Sequence, residues 1–196
     1  MNSLNVVVII FISALTAVQS TKYRFIPDYY ELYKDCKDQP GLGGTSDFFD
    51  LSGFDISFDD EGLNAKGTIV FLWDIEQTDR VLLDIELKKY SRGNWQLTPF
   101  TVKIFDLCQQ MRDTTSIVYK SWTKHVITKN NEKIPCLGKG VEFLHEPYAS
   151  QIEADVMGMN MEGRYKIVLI FQAFDGKNRA KSKSICIEMP GEIIRI

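Results

Sequence analysis

Imidazole and thiol chemistry have little to work with in this chain: 196 residues include 2 histidines and 4 cysteines. No G-x-S-x-G elbow, P-loop or H-E-x-x-H pair occurs, and neither His125 nor His145 lies in a nucleophile motif, so an enzyme is not expected. A basic excess is also missing. Lys and Arg number 23 against 26 Asp and Glu, a formal net charge of -3, which excludes nucleic-acid binding driven by bulk charge. Successive cysteines are 28 residues or more apart and form no C-x-x-C, which argues against zinc, and no metal or other cofactor is expected. Proline and glycine are sparse, at 6 and 13 residues, so collagen-like and low-complexity chains are out. Beyond the first twenty residues there is no N-x-[ST] glycosylation sequon.

What is present is apolar and aromatic. A chain that is 44% hydrophobic and 12% aromatic collapses into a core, and at this length one domain burying about 70% of its unfolded surface is expected. From Leu4 to Val18 no charge occurs, Val6 to Ile12 is continuously apolar, and Val18-Gln19-Ser20 suits a signal peptidase. Residues 1–20 therefore read as a secretory leader, too short before Gln19 for the roughly 20 apolar residues a membrane span needs. No later stretch could cross a bilayer as a helix. The expectation is a single extracellular domain over 21–196 in an oxidising compartment, where Cys36, Cys108, Cys136 and Cys186 form a disulfide framework with three possible pairings.

Along that domain the hydrophobic period is two. From Leu63 the odd positions Ala65, Gly67, Ile69, Phe71, Trp73 and Ile75 share one face. From Arg80 the residues Val81, Leu83, Ile85 and Leu87 oppose Arg80, Asp84, Glu86 and Lys88. Phe54-Ile56-Phe58, Trp95-Leu97 and Phe100-Val102-Ile104 repeat the pattern in short runs. Tyr165 to Phe171, the turn residues Asp175-Gly176-Lys177-Asn178 and Ser184 to Met189 make a C-terminal hairpin. One helix is expected between Cys108 and Cys136, capped by Asp113 or Thr114 and carrying Val118, Trp122 and Val126 at i, i+4, i+8. The fold class is thus all-β, a two-sheet β-sandwich or open cup with one short helix.

The segment Gly163-Arg164-Tyr165-Lys166-Ile167, then Gly176-Lys177, then Cys186-Ile187-Glu188 with Met189, resembles the closing hairpin of the ganglioside activator, a member of the ML lipid-recognition superfamily. Lys34-Asp35-Cys36 fits the family's opening. In length the chain is most similar to insect secreted chemosensory type-A relatives of that activator, and the likeness covers about residues 30 to 190. It implies a Cys36–Cys186 bridge joining first to last cysteine and a Cys108–Cys136 bridge around a mid-chain helical excursion. The activator's further disulfides have no counterpart here.

The resemblance also implies two sheets that leave an apolar pocket between them. Inward-facing candidates for such a lining are Phe54, Phe58, Ile69, Phe71, Trp73, Leu83, Ile85, Trp95, Ile104, Leu169 and Phe171, although for any one of them taken alone ordinary core packing is the commoner role. Met157, Met159 and Met161 suit either an adaptable rim or an irregular connection, and Tyr119 and Trp122 either core anchors or a lipid contact. The acidic run Asp55 to Glu61 reads as a solvated hairpin turn and Lys177, Arg179, Lys181 and Lys183 as a solvated edge. His145-Glu146-Pro147-Tyr148 reads as an exposed turn before a strand. The function expected is non-enzymatic binding of a lipid or other hydrophobic small molecule, in pheromone or taste perception. The rival is an accessory subunit that docks a membrane receptor or lipid surface with no bound lipid.

Overall fold

The computed structural model describes residues 20–28, 32–59, 62–128 and 132–196. Of the leader expected over residues 1–20, all but Ser20, the first residue of a strand, lies outside the described residues, as do Asp60 and Glu61 of the acidic run. The chain runs β1 (Ser20–Pro27), β2 (Lys34–Asp35), α1 (Thr45–Phe48), β3 (Phe49–Asp59), β4 (Gly62–Phe71), β5 (Arg80–Ser91), β6 (Asn94–Ile104), α2 (Leu107–Gln110), α3 (Ile117–Ser121), β7 (Glu142–Ser150), β8 (Ile152–Met157), β9 (Gly163–Phe174) and β10 (Ile185–Arg195). A larger sheet has the order β6-β5-β9-β10-β1-β8, with β2 also on β10, and a smaller one the order β3-β4-β7. The expected all-β sandwich or cup is what forms.

Alternation explains most of it. On β5, Val81 and Leu83 are buried, and Leu83, Ile85 and Leu87 sit opposite Phe171, Leu169 and Ile167 of β9. Those rows make one concave apolar face. β10 lies between β9 on one side and β1 and β2 on the other, and its Ile185 to Glu188 are buried on both faces, as a central strand requires. On β4 the buried odd positions continue past the last strand residue, through Trp73 to Ile75. Gly67 holds a φ of 104° where the β4–β7 register shifts, and a Cβ there would meet the Gly53 carbonyl oxygen at 2.3 Å. Only glycine fits that approach.

Three expectations need correction. Trp95-Leu97 and Phe100-Val102-Ile104 are one strand, β6, but its register against β5 shifts between Glu86 and Lys88. The irregularity inverts the face: Val102 and Ile104 pair with Ile85 and Leu83, whereas Trp95 pairs with Tyr90 on the other side of the sheet. The single helix is instead two short ones and a 3-10 turn (Thr123–His125). Asp113 closes a local turn by accepting from Thr115, while Ser116 caps α3 by accepting from the Tyr119 amide at 3.0 Å. Val126 lies beyond the helical residues and bridges His145. Finally, His145 to Tyr148 is strand β7, with His145 buried. Glu146 and Pro147 together oppose Lys66 as a bulge, and β7 is an edge strand, where a proline removes no ladder bond.

The cysteines pair Cys36 with Cys186 and Cys108 with Cys136, with Cα atoms 5.6 and 5.1 Å apart. In the basic run after β9, three of the four side chains meet carboxylates: Arg179 with Asp175, Lys181 with Asp79 at 3.2 Å and Lys183 with Asp47 at 2.6 Å. No helix among the described residues is long and apolar enough to cross a membrane.

Candidate apolar binding site

Between the sheets the core does not close. A cavity of about 440 Å³ opens there, walled by Ile69 and Phe71 of β4, Leu83 and Ile85 of β5, Val102 and Ile104 of β6, Leu169 and Phe171 of β9 and Ile187 of β10. It is flanked by Phe48, Phe49 and Leu51, and by Ile117, Val118 and Trp122 of the Cys108–Cys136 excursion with Leu107 and Leu137 beside its two cysteines. Phe48 anchors the floor, its ring 4.5 Å from Phe171 and 5.5 Å from Phe71. Trp122 leans on Phe71 and Phe143 at 6.4 and 5.8 Å, and so serves as both core anchor and wall.

Two further cavities abut this one. The larger sheet curls until its outermost strands, β6 and β8, line a common space of about 520 Å³ with Tyr23, Phe25, Leu87, Ile167 and Ile193. Ile85 and Val102 belong to both of these walls. A third space of about 400 Å³ lies between β1, the β3–β4 hairpin and the end of β7. It shares Tyr33 and Ser121 with the first cavity and Phe25 and Ile152 with the second. The three spaces are thus neighbours that share wall residues.

The sequence candidates divide accordingly. Ile69, Phe71, Leu83, Ile85, Ile104, Leu169 and Phe171 line the cavity between the sheets. Phe58 lines the third space. Phe54 packs edge-on against His145 at 5.3 Å instead, and Trp73 is solid core, its indole N–H donating to the Lys183 carbonyl at 3.0 Å. Trp95 lies on the convex side, under the Lys166 ammonium at 5.1 Å. Among the methionines, Met161 is buried and lines the second cavity, whereas Met157 and Met159 are exposed. Sequence reasoning passed over Tyr33, Phe48, Phe49 and Tyr148. Tyr33, Phe48 and Phe49 sit in or beside non-periodic segments, and Tyr148 follows the bulge that breaks the β7 alternation.

One ionisable group stands behind the wall. His145 is buried among Phe54, Phe143, Trp122 and Tyr148, its Nδ1 3.2 Å from the Phe143 carbonyl oxygen. Burial pushes its pKa down, against the raising effect of that carbonyl. The unfolded chain therefore binds a proton more readily than the folded one, so stability is complete above the ordinary imidazole pKa of about 6.5 and falls as the pH drops through and below it. Chemical unfolding between pH 7.5 and 5 should show that loss, at no more than about 1.4 kcal/mol per pH unit. His145→Phe should flatten the profile over this interval, and an unchanged slope would refute the assignment.

No family model matches this chain, and no curated protein matches it in sequence.

Proposed function

We propose that the protein is a secreted, non-enzymatic carrier that holds a lipid or other hydrophobic small molecule in the apolar cavity between its sheets. The observation that supports this best is the cavity itself. A sandwich of this size ordinarily packs its interior to crystal-like density, so a large space walled by aliphatic and aromatic side chains supports a binding site there. Burying an aliphatic chain there returns about 0.8 kcal/mol per methylene. The cup with two bridges also agrees with what the resemblance to the ML superfamily implies, and in the chemosensory setting of that resemblance the ligand is a pheromone or tastant.

Filling the space tests the reading. Ile85→Trp and Leu169→Trp each place an indole in the first cavity. Both variants should stay folded, because the added volume meets empty space, and should bind the fluorescent probe N-phenyl-1-naphthylamine at least about tenfold more weakly than the parent. Folded variants with undiminished affinity would refute the site.

A further inference from the structure

The three spaces differ in polarity. The first two are walled almost wholly by carbon, and the Ser121 hydroxyl at the edge of the first is taken by the Ile117 carbonyl at 2.7 Å. The third sets Arg24, Tyr33, Asp59 and Tyr148 beside Phe25, Phe58 and Leu63. Its cation is already committed: Arg24 meets Glu153 through Nε at 2.8 Å and through its terminal nitrogen at 2.7 Å. Asp59 adds a carboxylate to the same wall.

The two tyrosines are different. Both are half-buried, their rings are held in place, and neither hydroxyl forms a hydrogen bond to any described residue. Tyr33 packs edge-on against Phe49 at 5.4 Å, and Tyr148 stacks on His125 at 4.2 Å with the rings 8° apart. Burial raises the pKa of both, Tyr33 to about 12 with a contribution from nearby Tyr148. They remain neutral O–H donors at any physiological pH, and their hydroxyls, bonded to no described residue, can donate to a ligand that brings an acceptor.

We propose that Tyr33 and Tyr148 form the polar end of the binding space and select a hydrophobic ligand that carries an uncharged oxygen acceptor, such as an ester or alcohol, at one end. The hydrocarbon part occupies the two apolar cavities, and the oxygen accepts from the tyrosine hydroxyls. A carboxylate is disfavoured because the cation of this wall, Arg24, is already paired with Glu153, a carboxylate it shares with Lys22. This inference rests on the carrier reading and adds ligand class to it.

The test is a competition series against N-phenyl-1-naphthylamine using hexadecane, 1-hexadecanol, methyl hexadecanoate and hexadecanoate, with the protein expressed from its full sequence. Methyl hexadecanoate and 1-hexadecanol should bind about tenfold more tightly than hexadecane, the worth of one to two neutral hydrogen bonds. In the Tyr33→Phe/Tyr148→Phe double variant that preference should vanish while hexadecane affinity stays, which also reports that the variant is folded. The carbonyl stretch of isotope-labelled methyl hexadecanoate should lie at lower frequency when bound to the parent than to the double variant. A preference that survives in the double variant, tightest binding by hexadecanoate, or an unshifted carbonyl band would overturn the proposal and leave the carrier reading standing. Failure of all four compounds to displace the probe would overturn both.

Discussion

Replacing Cys36 and Cys186 together by alanine is expected to remove up to about 5 kcal/mol of stability, the chain-entropy value for a loop spanning 150 residues. That is comparable to the whole stability of many domains of this size. The bridge acts where other local bonds are few. β2 contributes only the two pairs Ile187–Asp35 and Glu188–Lys34 to β10, and the turn that follows is tied back by the Gly43 amide donating to Ser184 at 2.8 Å and the Cys186 amide donating to Gly43 at 2.9 Å. Asp35 then accepts from the Thr45 amide at 2.7 Å, positioning α1 and with it Phe48 under the cavity. Losing the bridge therefore loosens the cavity floor as well as the chain. Urea unfolding should show the lowered midpoint, and the Cys108–Cys136 pair, with a separation of 28, should cost less, about 3.6 kcal/mol. A double variant with the parent's midpoint would contradict this account of the bridge.

Glu188→Ala should cost about 3–5 kcal/mol, through the charge it leaves behind. Lys166 is 1% exposed, and its ammonium donates to Glu188 at 2.6 Å and to Asp38 at 3.0 and 3.3 Å, with the Trp95 ring below it. The hydrogen bond from Lys166 holds the Asp38 carboxyl below the usual carboxylate range. Without Glu188 the ammonium stays buried against Asp38 alone, whose side chain is 45% exposed and so shares its charge with water. Replacing both members, as Lys166→Met with Glu188→Leu, removes the unpaired charge together with the pair and should bring stability to within about 1–2 kcal/mol of the parent. The double-mutant cycle by thermal or urea unfolding reads the difference. Equal losses in the single and double variants would show that Glu188 acts through packing and not through Lys166.

Period-two alternation carried most of the fold because it reports a physical constraint: each strand has one face toward the core and one away from it. Val81, Leu83 and Ile85, or Ile69, Phe71 and Trp73, follow that rule in the structure as they do in the sequence. Alternation does not say whether an inward side chain meets another side chain or a void, and Trp73 and Phe71 are two residues apart with different roles. It also fails wherever a bulge shifts the parity. The irregularity opposite Glu86 and Lys88 sends Trp95 to the convex face, and the bulge at Glu146 and Pro147 hides a strand behind turn-like residues. Tyr33 and Phe48 owe their places to a disulfide and a one-turn helix rather than to a repeat, so no local pattern marks them.

The carrier reading predicts that the protein, recovered gently after expression from its full sequence and sprayed under native conditions, carries a mass above that of the disulfide-bonded polypeptide. That excess should dissociate on collisional activation and match a hydrophobic small molecule, and Ile85→Trp should diminish it. A bare polypeptide mass that stays bare after incubation with long-chain hydrocarbons, esters and glycolipids would contradict the central claim and favour a subunit that docks through its surface.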